Sequence, residues 1–73
     1  MNNMQRAEQN RDYALGLIAG SWLAKQNLTL EGESIKIEAN EHYERAISFI
    51  VVEQSQFVLG FVDGYTGWIA GIV

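Results

Sequence analysis

The chain has 73 residues, 48% of them apolar and 19% charged, with nine acidic side chains, five basic ones, and neither cysteine nor proline. These numbers describe one globular domain, residues 1–73, that buries only about 60–65% of its unfolded surface; they exclude disulfides, Cys-based zinc sites and a cysteine nucleophile. A net charge of −4, with no Lys or Arg beyond Arg45, withholds the positive field that direct nucleic-acid binding requires.

In chain order, a polar stretch from Met1 to Asp12 leads into the apolar run Tyr13–Ala24. Met4, Ala7, Leu15, Ile18 and Trp22 recur at helical spacing, so a helix is expected from about residue 4 to 26, with Lys25 complementing its dipole. The polar start has no apolar run leading to a cleavage site, which reads as a cytoplasmic chain.

From Leu28 to Glu38 the pattern changes. Leu28/Leu30 and Ile35/Ile37 alternate with polar residues around Glu31-Gly32-Glu33-Ser34, which predicts a short β-hairpin leaning on the helices. Asn40 then reads as a helix N-cap followed by Glu41 and Glu44, and Tyr43, Ala46, Ile47, Ile50 and Val51 share one face. A second helix is expected from about 40 to 54, with Glu41 and Arg45 as an i,i+4 ion pair. Phe49 and Val52 point away from that stripe.

Residues 55–73 support two readings. Asp63-Gly64 between aromatic and β-branched flanks is a hairpin signal, which would make the fold α+β. At ~100° per residue, however, Gly60, Gly64, Gly67 and Gly71 fall within an arc of about 60°. Four glycines on one stripe let another backbone approach closely, at a cost of roughly 4 kcal/mol in helix propensity. The helical reading is favoured. It is supported by an internal similarity: Tyr13-Ala-Leu-Gly-Leu-Ile-Ala-Gly20 and Phe57-Val-Leu-Gly-Phe-Val-Asp-Gly64 are both aromatic-x-Leu-Gly-x-x-x-Gly, and Trp22 and Trp68 follow them. Two such stripes can pack on each other within the chain or across a dimer. A membrane span is disfavoured, because Asp63 sits mid-run and no Lys or Arg flanks the segment.

The fold expected is therefore mainly α: three helices with a short β-hairpin. No catalytic signature is present. Gly-x-x-x-Gly lacks the Gly-Lys-Ser/Thr of a phosphate loop, and the single His42 is the only partner available to any serine. Glu38 and His42 are two candidate metal ligands without a third. No cofactor, metal or catalytic residue is assigned. Asp63, among apolar neighbours, reads as a structural acid.

Two surfaces are candidates for binding. Glu31, Glu33, Glu38, Glu41 and Glu44, with Tyr43 and Phe49 nearby, form an acidic face suited to a basic partner, including a nucleic-acid-binding protein. Gly16, Gly20, Gly60, Gly64, Gly67 and Gly71, with Trp68, are candidates for helix packing or oligomerisation. A pocket lined by Trp22, Trp68 and Tyr65 is a third, lesser candidate, for a small ligand.

Phe57–Gly64 resembles the aromatic-Ile/Val-x-Gly-Val-x-Asp-Gly/Ala helix of the Tai-type immunity proteins, small helical proteins that neutralise secreted toxins. The resemblance covers those eight residues, and the family's cysteines are absent here; it implies a helix at that position and illustrates how a domain of this size can act by blocking a toxin.

The reading that emerges is a small acidic protein-binding module: a stoichiometric inhibitor or antagonist of the phage or mobile-element kind, anti-defence or antitoxin-like. The alternative is an assembly subunit that oligomerises through its glycine-striped helix. Residues 46–73 carry only Glu53 and Asp63 as charges, which favours a homodimer in either case.

Overall fold

The computed structural model describes residues 10–27 and 29–70 and contains three helices: α1 (Arg11–Gln26), α2 (Glu33–Ala46) and α3 (Gln54–Ala70). Asn10 starts α1, its side chain accepting from the Tyr13 amide at 3.0 Å. Asp12 in the first turn and Lys25 in the last suit the helix dipole. At the far end the Asn27 amide bonds back to Leu23 O at 2.8 Å, and its carboxamide oxygen accepts from the Thr29 amide at 2.9 Å. This turns the chain out of the helix.

α2 begins where the hairpin was expected. Gly32 adopts φ +53°, ψ −120°, a conformation open to glycine, and residues 33–46 wind directly into a helix. No strand occurs among the described residues; of the expected hairpin, Leu28 lies outside them. Ile35 belongs to both patterns, but the one the chain uses is Ile35, Ala39, His42 or Tyr43, and Ala46, which continues for about three turns. The helix buries Ile35 and Ala39 and turns Ile37 outward, 58% exposed. Asn40 lies inside the helix instead of capping it: its amide nitrogen donates to Lys36 O at 2.9 Å, and its oxygen accepts from Gln54 Nε2 at 2.8 Å.

The second helix therefore runs earlier than expected and ends at Ala46, after which residues 47–53 form a linker. Val52 enters the core, whereas Ile47, Ile50 and Val51 are exposed. Arg11 and Asp12 bind this linker to the start of α1. The Arg11 guanidinium donates to Val51 O and pairs with Asp12 at 2.8 Å, while Asp12 Oδ2 accepts from the Glu53 amide at 3.1 Å. Those two donors hold the Asp12 carboxyl below the usual carboxylate range, the Arg11 bond being the larger cause.

Residues 54–70 are a single helix, so the hairpin alternative at Asp63-Gly64 does not form. α3 runs parallel to α1, and the two meet backbone to backbone. A Cβ added to Gly16 would lie 2.0 Å from Phe57 O, and one at Gly20 2.0 Å from Phe61 O. Reciprocally, a Cβ at Gly60 would lie 2.1 Å from Tyr13 O and one at Gly64 2.3 Å from Leu17 O. The glycine Hα atoms standing in those places point at carbonyls, the arrangement of weak Cα–H···O bonds. Position by position, the two halves of the internal similarity face each other with their roles exchanged. Tyr13 opposite Gly60 mirrors Phe57 opposite Gly16.

The α1 face that this seam buries is Tyr13, Gly16, Leu17, Gly20 and Ala24. It is not the face chosen on hydrophobicity: Ile18 and Trp22 are 67% and 57% exposed, Leu15 is half-buried, and Met4 and Ala7 lie outside the described residues. The glycines decide which face turns inward, because only they allow this approach. α2 closes the other side of α3. Its Ile35 and Ala39 join Ala24, Val52, Phe57, Phe61 and Tyr65 in the core. Tyr65 also fixes the α1–α2 loop, its hydroxyl donating to Asn27 O at 2.6 Å and accepting from the Leu30 amide at 3.0 Å.

Candidate protein-binding surface

α2 positions most of the acidic side chains. With Ile35 and Ala39 inward, its 3.6-residue period sends Glu33, Glu41 and Glu44 to the outer face, where all three are exposed. Exposed Ile37 sits among them. Glu31 is exposed in the loop just before the helix. Lys36 offsets the charge only at Glu33, at 3.7 Å. Glu38 stands apart on the flank of α2, half-buried, with its carboxylate 4.0 Å from His42 Nε2.

Tyr43 is not on this face. It turns inward, its ring 6.3 Å from that of Phe57. Phe49 is the opposite case: it stands just past the C-terminal end of α2, 87% exposed, as is Val51. The acidic helix thus ends in a protruding apolar corner. The expected Glu41–Arg45 ion pair is not made, and neither side chain forms a salt bridge among the described residues.

His42 packs its ring 5.0 Å from Phe61. That burial lowers its pKa, the Arg45 charge lowers it further, and Glu38 and Glu41 oppose both. Among the described residues no group of three or more His, Asp or Glu could hold a metal ion. The half-buried Asp63 accepts a hydrogen bond from the buried Tyr13 hydroxyl at 2.7 Å, which ties α3 to α1.

Two open apolar grooves flank the helices. One, of about 290 Å³, is lined by Leu17, Ile18, Ser21, Trp22, Lys25 and Trp68, with Lys25 Nζ 5.2 Å above the Trp68 ring. Both tryptophans line it, whereas Tyr65 is buried in the core with its hydroxyl on the α1–α2 loop. The other groove, of about 270 Å³, runs beside Phe49 and is lined by Leu15, Ala19, Ala46, Ile50 and Phe57, with His42 and Arg45 at its polar edge.

Of the glycines singled out from sequence, Gly16, Gly20, Gly60 and Gly64 form the intrachain seam and Gly67 is buried; Gly71 lies outside the described residues. The residues that sequence reasoning passed over are Ile37, hidden in a presumed strand, and Val51, assigned to a helical stripe. Extending the α2 period back to Glu33 would have placed Ile37 outside. Among the described residues no helix is long and apolar enough to cross a membrane. Comparison with protein-family models, curated proteins and solved structures finds no match to this chain.

Proposed function

We propose that this protein acts by binding another protein in fixed stoichiometry, as an inhibitor or antagonist working in the cytoplasm. The binding surface is the outer face of α2, Glu33, Ile37, Glu41 and Glu44, together with Phe49. The observation that carries this reading is the exposure of Phe49 at the end of an acidic helix. Leaving a large aromatic in water forgoes roughly 1.5–3 kcal/mol of burial. An exposed aromatic anchor with a polar, charged surface beside it has the anatomy of a protein-binding hot spot and its rim. The carboxylates select a basic partner, of the kind a nucleic-acid-binding groove or a cationic toxin surface presents, and speed its encounter.

The test is quantitative capture from host lysate, using the wild-type chain and two surface variants as bait. A single stoichiometric partner should come down with the wild type and be lost with both Phe49→Ser and the double reversal Glu41→Lys/Glu44→Lys. Equal recovery by all three baits would remove this surface. Recovery of the chain alone would favour the assembly-subunit reading, which must then use surface other than the four seam glycines.

A further inference from the structure

Ile37, Glu41, Arg45 and Phe49 recur every four residues, and all four are exposed. On a helix they lie along one i±4n ridge, each about 6 Å further along the axis than the last. Phe49 stays close to this ridge because the backbone keeps winding past Ala46 in a tightened turn: the Ile47 amide bonds to Tyr43 O at 3.0 Å, the Phe49 amide to Ala46 O at 3.0 Å and the Ile50 amide to Ala46 O at 3.1 Å. Read along the ridge, the order is apolar, negative, positive, apolar. Read backwards, with the charges exchanged, it complements itself.

We propose that this ridge is the interface of a two-fold symmetric homodimer, in which α2 packs antiparallel on α2 of a second copy. Ile37 and Phe49 share a midpoint at Tyr43 with Glu41 and Arg45. An antiparallel copy centred there therefore places Phe49 against Ile37 at each end and Glu41 against Arg45 on each side of the axis. Every contact is made twice, which is what an isologous interface requires.

Two observations select a second copy as the occupant. Glu41 and Arg45 are correctly spaced and oriented for an ion pair within the helix, yet each stands without a salt bridge among the described residues. Each is thus available to the other across a two-fold axis. Ile37 and Phe49, 58% and 87% exposed, are also apolar groups that this register covers. Packing of i±4n ridges on both sides sets an interhelical angle of about 50°. The apolar groove beside Phe49 then borders the interface and extends it towards Leu15 and Phe57. The proposal does not rest on the antagonist reading; because the dimer covers Ile37, Glu41 and Phe49, a protein partner at that surface would have to displace the second copy.

The experiment is sedimentation equilibrium of the full chain over a concentration series, for wild type and charge variants. The wild type should reach a dimer and no larger species. Arg45→Glu sets Glu41 against a second acid on each side of the axis, and should raise the dimer dissociation constant roughly tenfold or more; Glu41→Arg should do the same. The exchanged variant, Glu41→Arg with Arg45→Glu, restores both pairs and should recover the dimer. Phe49→Ser should abolish it. Because these side chains are exposed, unchanged far-UV circular dichroism would show that each variant is folded. A wild-type monomer throughout, an assembly beyond the dimer, single reversals without effect, or an exchanged variant as weak as the worse single would each overturn the proposal.

Discussion

Replacing Gly60 by alanine adds one methyl group and tests the α1–α3 seam directly. In an isolated helix the change is favourable by about 1 kcal/mol, because glycine is the poorest helix former after proline. Here the new Cβ would lie 2.1 Å from Tyr13 O and 3.0 Å from Leu17 N, both backbone atoms that cannot rotate away. Ordinary contact begins near 3.4 Å, so the helices must separate by roughly 1 Å along the seam. A gap of that size forfeits a quarter to a half of the dispersion energy of the contacts it opens. It also weakens the Cα–H···O contacts at Gly16, Gly20 and Gly64. Overpacking against rigid backbone costs typically 1–3 kcal/mol, and subtracting the propensity gain of about 1 kcal/mol leaves a net loss of up to about 2 kcal/mol. A domain of this size has a stability of only roughly 4–11 kcal/mol. The melting temperature followed by circular dichroism should therefore fall by up to roughly 8–16 °C. Gly32→Ala is the contrast, since its Cβ would meet nothing within 4 Å and only the positive φ is penalised, at about 1 kcal/mol. A Gly60→Ala protein more stable than wild type would refute the seam. Larger residues at Gly60 or Gly64 would unfold the monomer, so they cannot serve as probes of oligomerisation.

Four further outcomes are expected. Tyr65→Phe removes the hydroxyl that joins Asn27 O and the Leu30 amide, and should cost about 1–3 kcal/mol in urea denaturation; an unchanged midpoint would mean the loop is held by other contacts. Asp12 has its pKa depressed in the folded state, so its contribution is present above the unfolded carboxylate range and is lost as pH falls through it; below about pH 4 wild-type stability should drop more steeply than that of Asp12→Asn. His42 is also depressed, by burial first, so the unfolded chain binds the proton more readily. Stability should decline as pH falls below about 6.5, and the His42 ring protons should titrate by NMR below the free-histidine midpoint. At concentrations too low for dimers, Phe49→Ser should leave the melting curve within about 0.5 kcal/mol of wild type, since its ring is exposed in the monomer; a large loss of stability there would show that the side chain is structural.

Much of the architecture is legible in the amino-acid order, and the reason is the glycines. Their phase identifies residues 54–70 as a helix despite the Asp63-Gly64 turn signal, and the repeated aromatic-x-Leu-Gly-x-x-x-Gly pattern shows which two helices can meet at backbone distance. The same phase would also have corrected α1. Trp22 and Ile18 look like core residues by hydrophobicity, but they lie opposite Gly16 and Gly20 and are left in water. The segment 28–38 was misread because Ile35 and Ile37 satisfy a period of two, while the longer helical period starting at Ile35 becomes visible only when Ala39 and Ala46 are counted as apolar anchors. Small alanines carry little hydrophobic weight, yet a narrow α2–α3 contact depends on them. On the surface, the acidic residues and Phe49 could be named from sequence. The inward turn of Tyr43 could not, because it depends on Phe57 arriving from a distant part of the chain.

That dependence has a kinetic consequence. Matching seam positions are 44 residues apart, as Gly16 and Gly60 are, and α1 makes few contacts with the α2 that follows it. During synthesis, α1 has nothing to dock against until Gly60 and Gly64 have been added, and Tyr13 and Leu17 stay uncovered throughout that interval. The decisive step is therefore a late loop closure, slower than the zipping of neighbouring helices.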